Sequence, residues 1–91
     1  MIQESDLFSD GEWARTQNEL GLSPRQAQIV KQVLQGKADK QIAHDLNISL
    51  ATVRTHMRRL FAKFELNDRL ELTLLVLASL RGRVRNHPSS Q

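Results

Sequence analysis

Residues 39–59, DKQIAHDLNISLATVRTHMRR, contain a short helix, a three-residue turn and a longer helix. In the first helix Ile42, Ala43 and Leu46 share the inward side, with Ala43 at the crossing point where a larger side chain would push the helices apart. Asn47 stands where the backbone turns left-handed, a conformation Asn tolerates better than most residues other than Gly. Ile48 plugs the turn, and Ser49 sits where the second helix needs its N-cap. That second helix turns Val53, Met57, Leu60 and Phe64 to one side and shows Arg54, Thr55 and Arg58 on the other. A helix-turn-helix with a basic outer face on its second helix is built to lie in the major groove of DNA.

The rest of the chain reads as all-α, with nothing alternating at a strand's period of two. Ser9 as N-cap, Glu12 three residues on and Phe8 against Trp13 predict a short helix over about residues 10–19, broken by Gly21. Ser23-Pro24 opens the next helix, which runs to about Gln35 with Ala27, Val30, Val33 and Leu34 inward and Gly36 at its end. Asp68, with Glu71 completing a capping box, opens a last helix over residues 69–81. Its leucines form two stripes: Leu72, Val76 and Leu80 on one side, Leu70, Leu74 and Leu77 nearly opposite. A surface helix normally needs one apolar stripe. Two stripes imply two partners, the domain's own core and, most simply, a second copy of the chain. The N-terminal helix covering the second stripe is the competing reading.

Composition fits a small binding module. The 91 residues, 40% of them apolar, make one domain with a modest core. The absence of cysteine excludes a disulfide framework and a thiolate metal site. No segment approaches the ~20 apolar residues of a membrane span. Residues 1–20 lack a signal peptide's basic start and apolar run, so the expected location is cytoplasmic, with no membrane partner. The net charge of +3 conceals an asymmetry: residues 1–22 carry −4 and residues 23–91 carry +7. A basic body suits a polyanion, because Lys and Arg release counterions condensed on phosphates. The acidic extension either packs away from DNA or masks the basic face; Phe8 and Trp13 favour packing.

The organisation expected is an acidic N-terminal extension with its short helix over 1–20, a helix-turn-helix domain over 21–81 and a basic disordered tail over 82–91. No phosphate loop, usable carboxylate pair or nucleophile with a plausible base supports an enzyme, and no cofactor, metal or small-molecule ligand is indicated. His56 reads as a packing or phosphate-bonded histidine. His44 and Asp45, adjacent on a helix, are expected to diverge. Trp13 reads as a hydrophobic anchor, not a base-stacking residue.

Taken together, Leu22-Ser-Pro-Arg25, Gly36, Lys40-Gln-Ile-Ala43, Ile48-Ser49, Thr52-Val-Arg-Thr-His56, Lys63 and Asp68-Arg69 resemble the LuxR-type, or GerE-type, helix-turn-helix family. The likeness covers about residues 20–80, and the order and spacing of the pieces make it specific. It implies a four-helix DNA-binding domain of bacterial transcription regulators, here with an extra N-terminal helix, whose last helix mediates dimerisation. By position it implies base reading by Arg54 with Thr55 and Arg58, phosphate contacts by Lys40 and Thr52, and a partner face formed by Leu70, Leu74 and Leu77. Arg59 and Lys63 lie on the flank, where phosphate contact and plain solvation both fit. Two departures stand out. Gln26 replaces an acid, so a neutral hydrogen bond is expected in place of an ion pair. Glu65 replaces a Gly, so the loop before the last helix is expected to differ.

The functional expectation is sequence-specific binding of double-stranded DNA by a homodimer that regulates transcription. The alternatives are a module that pairs through its last helix with a related regulator and inhibits it, and a module facing RNA polymerase like the promoter-reading domain of sigma factors.

Overall fold

A computed structural model describes residues 8–82, which form five α-helices and, among the described residues, no strand. They are α1 (Asp10–Leu20), α2 (Pro24–Leu34), α3 (Asp39–Leu46), α4 (Leu50–Phe64) and α5 (Arg69–Leu80). The first seven residues of the acidic extension and residues 83–91 of the expected tail lie outside the described part.

Each helix start is chemically marked. Ser9 and Glu12 form the expected capping box, with Glu12 N donating to Ser9 Oγ and Ser9 N to Glu12 Oε1. Ser23 and Gln26 form a second box. Gln26 thus makes the expected neutral hydrogen bond, its Oε1 accepting the Ser23 N–H. Ser49 Oγ accepts from Thr52 N, and Asp68 Oδ1 accepts from Glu71 N. α3 differs: Ala38 is its cap residue, and Gln41 Oε1 takes the Ala38 N–H instead.

The helix ends carry the turn geometry. Asn47 is left-handed, at φ 57° and ψ 46°, and Ile48 N reaches back to Ala43 O to close the three-residue turn. Glu65 is left-handed as well, at φ 56° and ψ 47°, with Leu66 N donating to Phe61 O at 2.8 Å. The terminal carbonyls of α4 demand a left-handed residue there, and Glu65 adopts the strained conformation a Gly would take freely. Glu65→Gly is accordingly expected to stabilise the domain by about 1 kcal/mol, raising Tm by roughly 4–8 °C. An unchanged or lower Tm in a thermal melt would show that Glu65 is not strained.

The core lies between the helices, with Ile29, Val30, Ile42, Val53, Leu60, Leu72, Val76 and Leu80 fully buried. Trp13 and Leu20 join it from α1, and the Lys31 ammonium stands 5.2 Å over the Trp13 ring. Trp13 is the anchor expected of it. Phe8 packs half-buried against the same core. α3 packs closely on α4, while α5 packs on α1 and α2. Of the two stripes on α5, Leu72, Val76 and Leu80 are buried, whereas Leu70 is 64% and Leu74 56% exposed and Leu77 is half-buried. The hydrogen bonds from α1 reach α5 at Ser79 and Leu80, beyond the end of the open stripe.

Candidate nucleic-acid interface

The outer face of α4 follows from its buried one. Val53, Met57 and Leu60 are buried and Phe64 half-buried, which leaves Ala51, Thr52, Arg54, Arg58, Arg59, Ala62 and Lys63 exposed. At 100° per residue, Arg54 and Arg58 fall to one side of that face. Thr52, Arg59 and Lys63 fall to the other, with Ala51, Thr55 and Ala62 along the middle. Ala51 was not singled out from the sequence; exposure at a small residue is what marks it as a place where the helix can approach another surface closely.

The side chains on this face are unequally engaged. Among the described residues, the side chains of Arg54, Arg59 and Lys40 have no hydrogen bond or ion pair within the chain, so their charge faces outward. Arg58 Nη2 donates to Thr55 Oγ1 at 3.3 Å, which limits the guanidinium's wandering. Ser49 Oγ donates to Thr52 Oγ1 at 2.8 Å, leaving the Thr52 hydroxyl proton available to an outside acceptor. Lys40 lies exposed in the first turn of α3.

Lys63 stands apart. Its ammonium donates to the carbonyls of Leu20 and Gly21, at 2.9 and 2.8 Å, and lies 5.3 Å from the Phe64 ring centroid. The structure therefore does not group it with the free cations of this face. His56 is half-buried, and its Nδ1 has no partner.

Two further contacts were not legible in the sequence. Arg69, at the start of α5, donates through Nη1 to Asp39 Oδ1 at 2.7 Å and through Nη2 to the Lys37 carbonyl. It thereby ties the start of α3 to the start of α5. Lys37 itself pairs with Asp45 at 2.7 Å, and that hydrogen bond holds the Asp45 carboxyl below its ordinary range. The expectation that His44 and Asp45 diverge is corrected: His44 Nδ1 approaches Asp45 Oδ1 to 3.6 Å, because the exposed imidazole swings back along the surface. Among the described residues no group of three or more His, Cys, Asp or Glu is placed to hold a metal ion. No helix there is long and apolar enough to cross a membrane.

A tight three-residue turn, a small residue at the helix crossing and a basic, outward second helix define a helix-turn-helix DNA-binding domain. The chain belongs to the luxR family of bacterial regulatory proteins, whose model matches residues 20–76. It is 47% identical over 51 residues to the monoamine regulon transcriptional regulator of Klebsiella aerogenes, covering 56% of this chain and 22% of that protein. It is 39% identical over 56 residues to the nitrate/nitrite response regulator protein NarP of Escherichia coli, covering 62% of this chain and 26% of that protein. A third relative, the nitrate/nitrite response regulator protein NarL of Escherichia coli, is 36% identical over 55 residues, covering 60% of this chain and 26% of that protein. The chain thus spans well under half the length of these relatives. No solved structure gives a significant match. The family is one of transcription regulators, not of enzymes. α1, apart from its last residue, lies outside the matched stretch.

Proposed function

We propose that the chain binds specific double-stranded DNA as a homodimer and regulates transcription from the bound site, in the bacterial cytoplasm. The observation that carries this reading is the outer face of α4, where two unpaired or lightly held arginines, Arg54 and Arg58, line one side of a strip of small side chains. Arginine forks suit the O6 and N7 acceptors of guanine in the major groove. Thr55 steadies Arg58 and lies beside it on that strip. Lys40, Thr52 and Arg59 are assigned to phosphates, where a charge or a hydroxyl fixes register without reading sequence. Lys63 leaves that set, because its ammonium is already satisfied by two carbonyls.

The homodimer rests on Leu70 and Leu74, large apolar side chains exposed on a helix whose opposite side is core. The same pair also suits the second reading, a module that pairs with a related regulator and inhibits it. In vitro selection from random duplexes tests the first reading. Recovery of an inverted repeat with half-site centres roughly 10 bp apart is expected. Failure to enrich any site, with the chain bound instead to a related regulator, would favour the second. Enrichment of a lone, unrepeated element would favour a module that works beside RNA polymerase.

The phosphate assignment has its own test. Lys40→Ala is expected to weaken all duplexes to a similar degree and to reduce the slope of log affinity against log salt by about 1. A loss confined to the selected site would make Lys40 a base reader instead.

A further inference from the structure

The recognition helix α4 and the pairing helix α5 are not among the closely packed helix pairs; α4 packs chiefly on α3, and α5 on α1 and α2. Both helices contribute to the one core and the short loop 65–68 joins them, but part of what fixes the angle between the base-reading side chains and the exposed leucines runs through other elements. One joint is the Arg69 clamp, which ties the start of α5 to Asp39 and the Lys37 carbonyl at the start of α3.

The second connection runs through α1, and both of its joints have the same chemistry. α5 has no basic residue in its last turn, so its terminal carbonyls lack a cation of their own. Arg15 of α1 supplies one, with Nη2 donating to Ser79 O at 3.0 Å and Leu80 O at 2.6 Å. Beside it the buried Ser79 hydroxyl bonds with Thr16 Oγ1 and Glu19 Oε1. α1 has no basic residue in its last turn either. Lys63, in the last turn of α4, supplies the cation there through its bonds to Leu20 O and Gly21 O. The fit is close: a Cβ on Gly21 would meet Lys63 Nζ at 2.9 Å, and Gly21 is left-handed at φ 64°. Three helix ends are thus joined in series, α5 to α1 to α4, by two cations on helix-end carbonyls.

We propose that α1 is a strut that sets the angle between the pairing helix and the recognition helix, with Arg15 and Lys63 as its positioning residues. That angle decides how far apart the two recognition helices of a dimer stand, and so which spacing of half-sites is bound. The strut places control of DNA spacing on a helix that lies almost wholly outside the matched family domain. Movement of α1 would retune the site without touching a base-reading residue. The inference rests on the dimer reading above.

The test compares the full chain with Lys63→Met, which keeps the side-chain length over Phe64 and removes the donor, and with Arg15→Met. Each is titrated against duplexes carrying one half-site, and against paired half-sites at a series of spacings. Both variants are expected to bind a single half-site within about twofold of the parent. The advantage of the paired site over the single one should fall about tenfold, with a flattened preference among spacings. Lys63→Arg should restore both. An equal loss on single and paired sites would make Lys63 a phosphate contact and overturn the strut. A lowered Tm with the paired advantage and spacing preference intact would overturn it too, leaving the two residues merely stabilising. If the parent chain itself showed no advantage on paired sites, the dimer reading would fall and the strut with it.

Discussion

Leu74→Glu is expected to give a folded monomer that binds the paired site about 10²–10⁴-fold more weakly than the parent chain, since the second half-site no longer adds to the first. Leu74 is 56% exposed, so a carboxylate there costs the isolated fold little. Against a second copy, the same carboxylate would be desolvated with no cation opposite it. Leu70, 64% exposed and one turn earlier, extends the seam. Half-buried Leu77 is a poorer probe, because its truncation would also disturb the domain. Sedimentation of both proteins, free and on a selected duplex, measures the effect. A parent chain that stays monomeric on its site would sink the dimer reading. An unfolded Leu74→Glu chain would place Leu74 in the core, contrary to its exposure.

Arg54→Ala should lower affinity for the selected site by about 1–3 kcal/mol and relax base preference at the position it reads. Affinity for random duplex should fall only by the smaller amount that one lost charge removes. The contrast is sharp because no partner within the described chain holds the Arg54 side chain, so its removal leaves no orphaned group behind. Arg58 is a less clean probe, since truncating it also frees Thr55. Equal losses on specific and random DNA would show that Arg54 contacts phosphate.

The helix-turn-helix was legible because its signals are local. Asn47 at the left-handed position, Ser49 at the cap and Ala43 at the crossing lie within seven residues, and each acts through its own backbone or the adjoining turn. The two stripes of α5 were legible for a related reason. Helical periodicity says which side chains share a face, and Leu72, Val76 and Leu80 are buried as the spacing requires. Glu65 shows where residue type misleads. A glutamate does not announce a left-handed turn, yet Glu65 takes one, where Leu66 N reaches back to Phe61 O.

Residue order along the chain therefore determined the five helices, most of their caps, the turn at Asn47 and the basic face of α4, because these depend on interactions within about four residues; the box expected of Asp68 and Glu71 is not closed, since Glu71 takes the Asn67 N–H. It left undecided the fate of the long cations. Lys63, read as a flank residue facing phosphate or water, binds carbonyls 43 and 42 residues away, and Arg15 reaches carbonyls 64 and 65 residues away. Arg69 spans 30 residues to Asp39. A flexible side chain with several donors takes whichever acceptor the packing brings within reach. Here those acceptors are mostly helix-end carbonyls, whose positions exist only once α1, α4 and α5 have been assembled around the core.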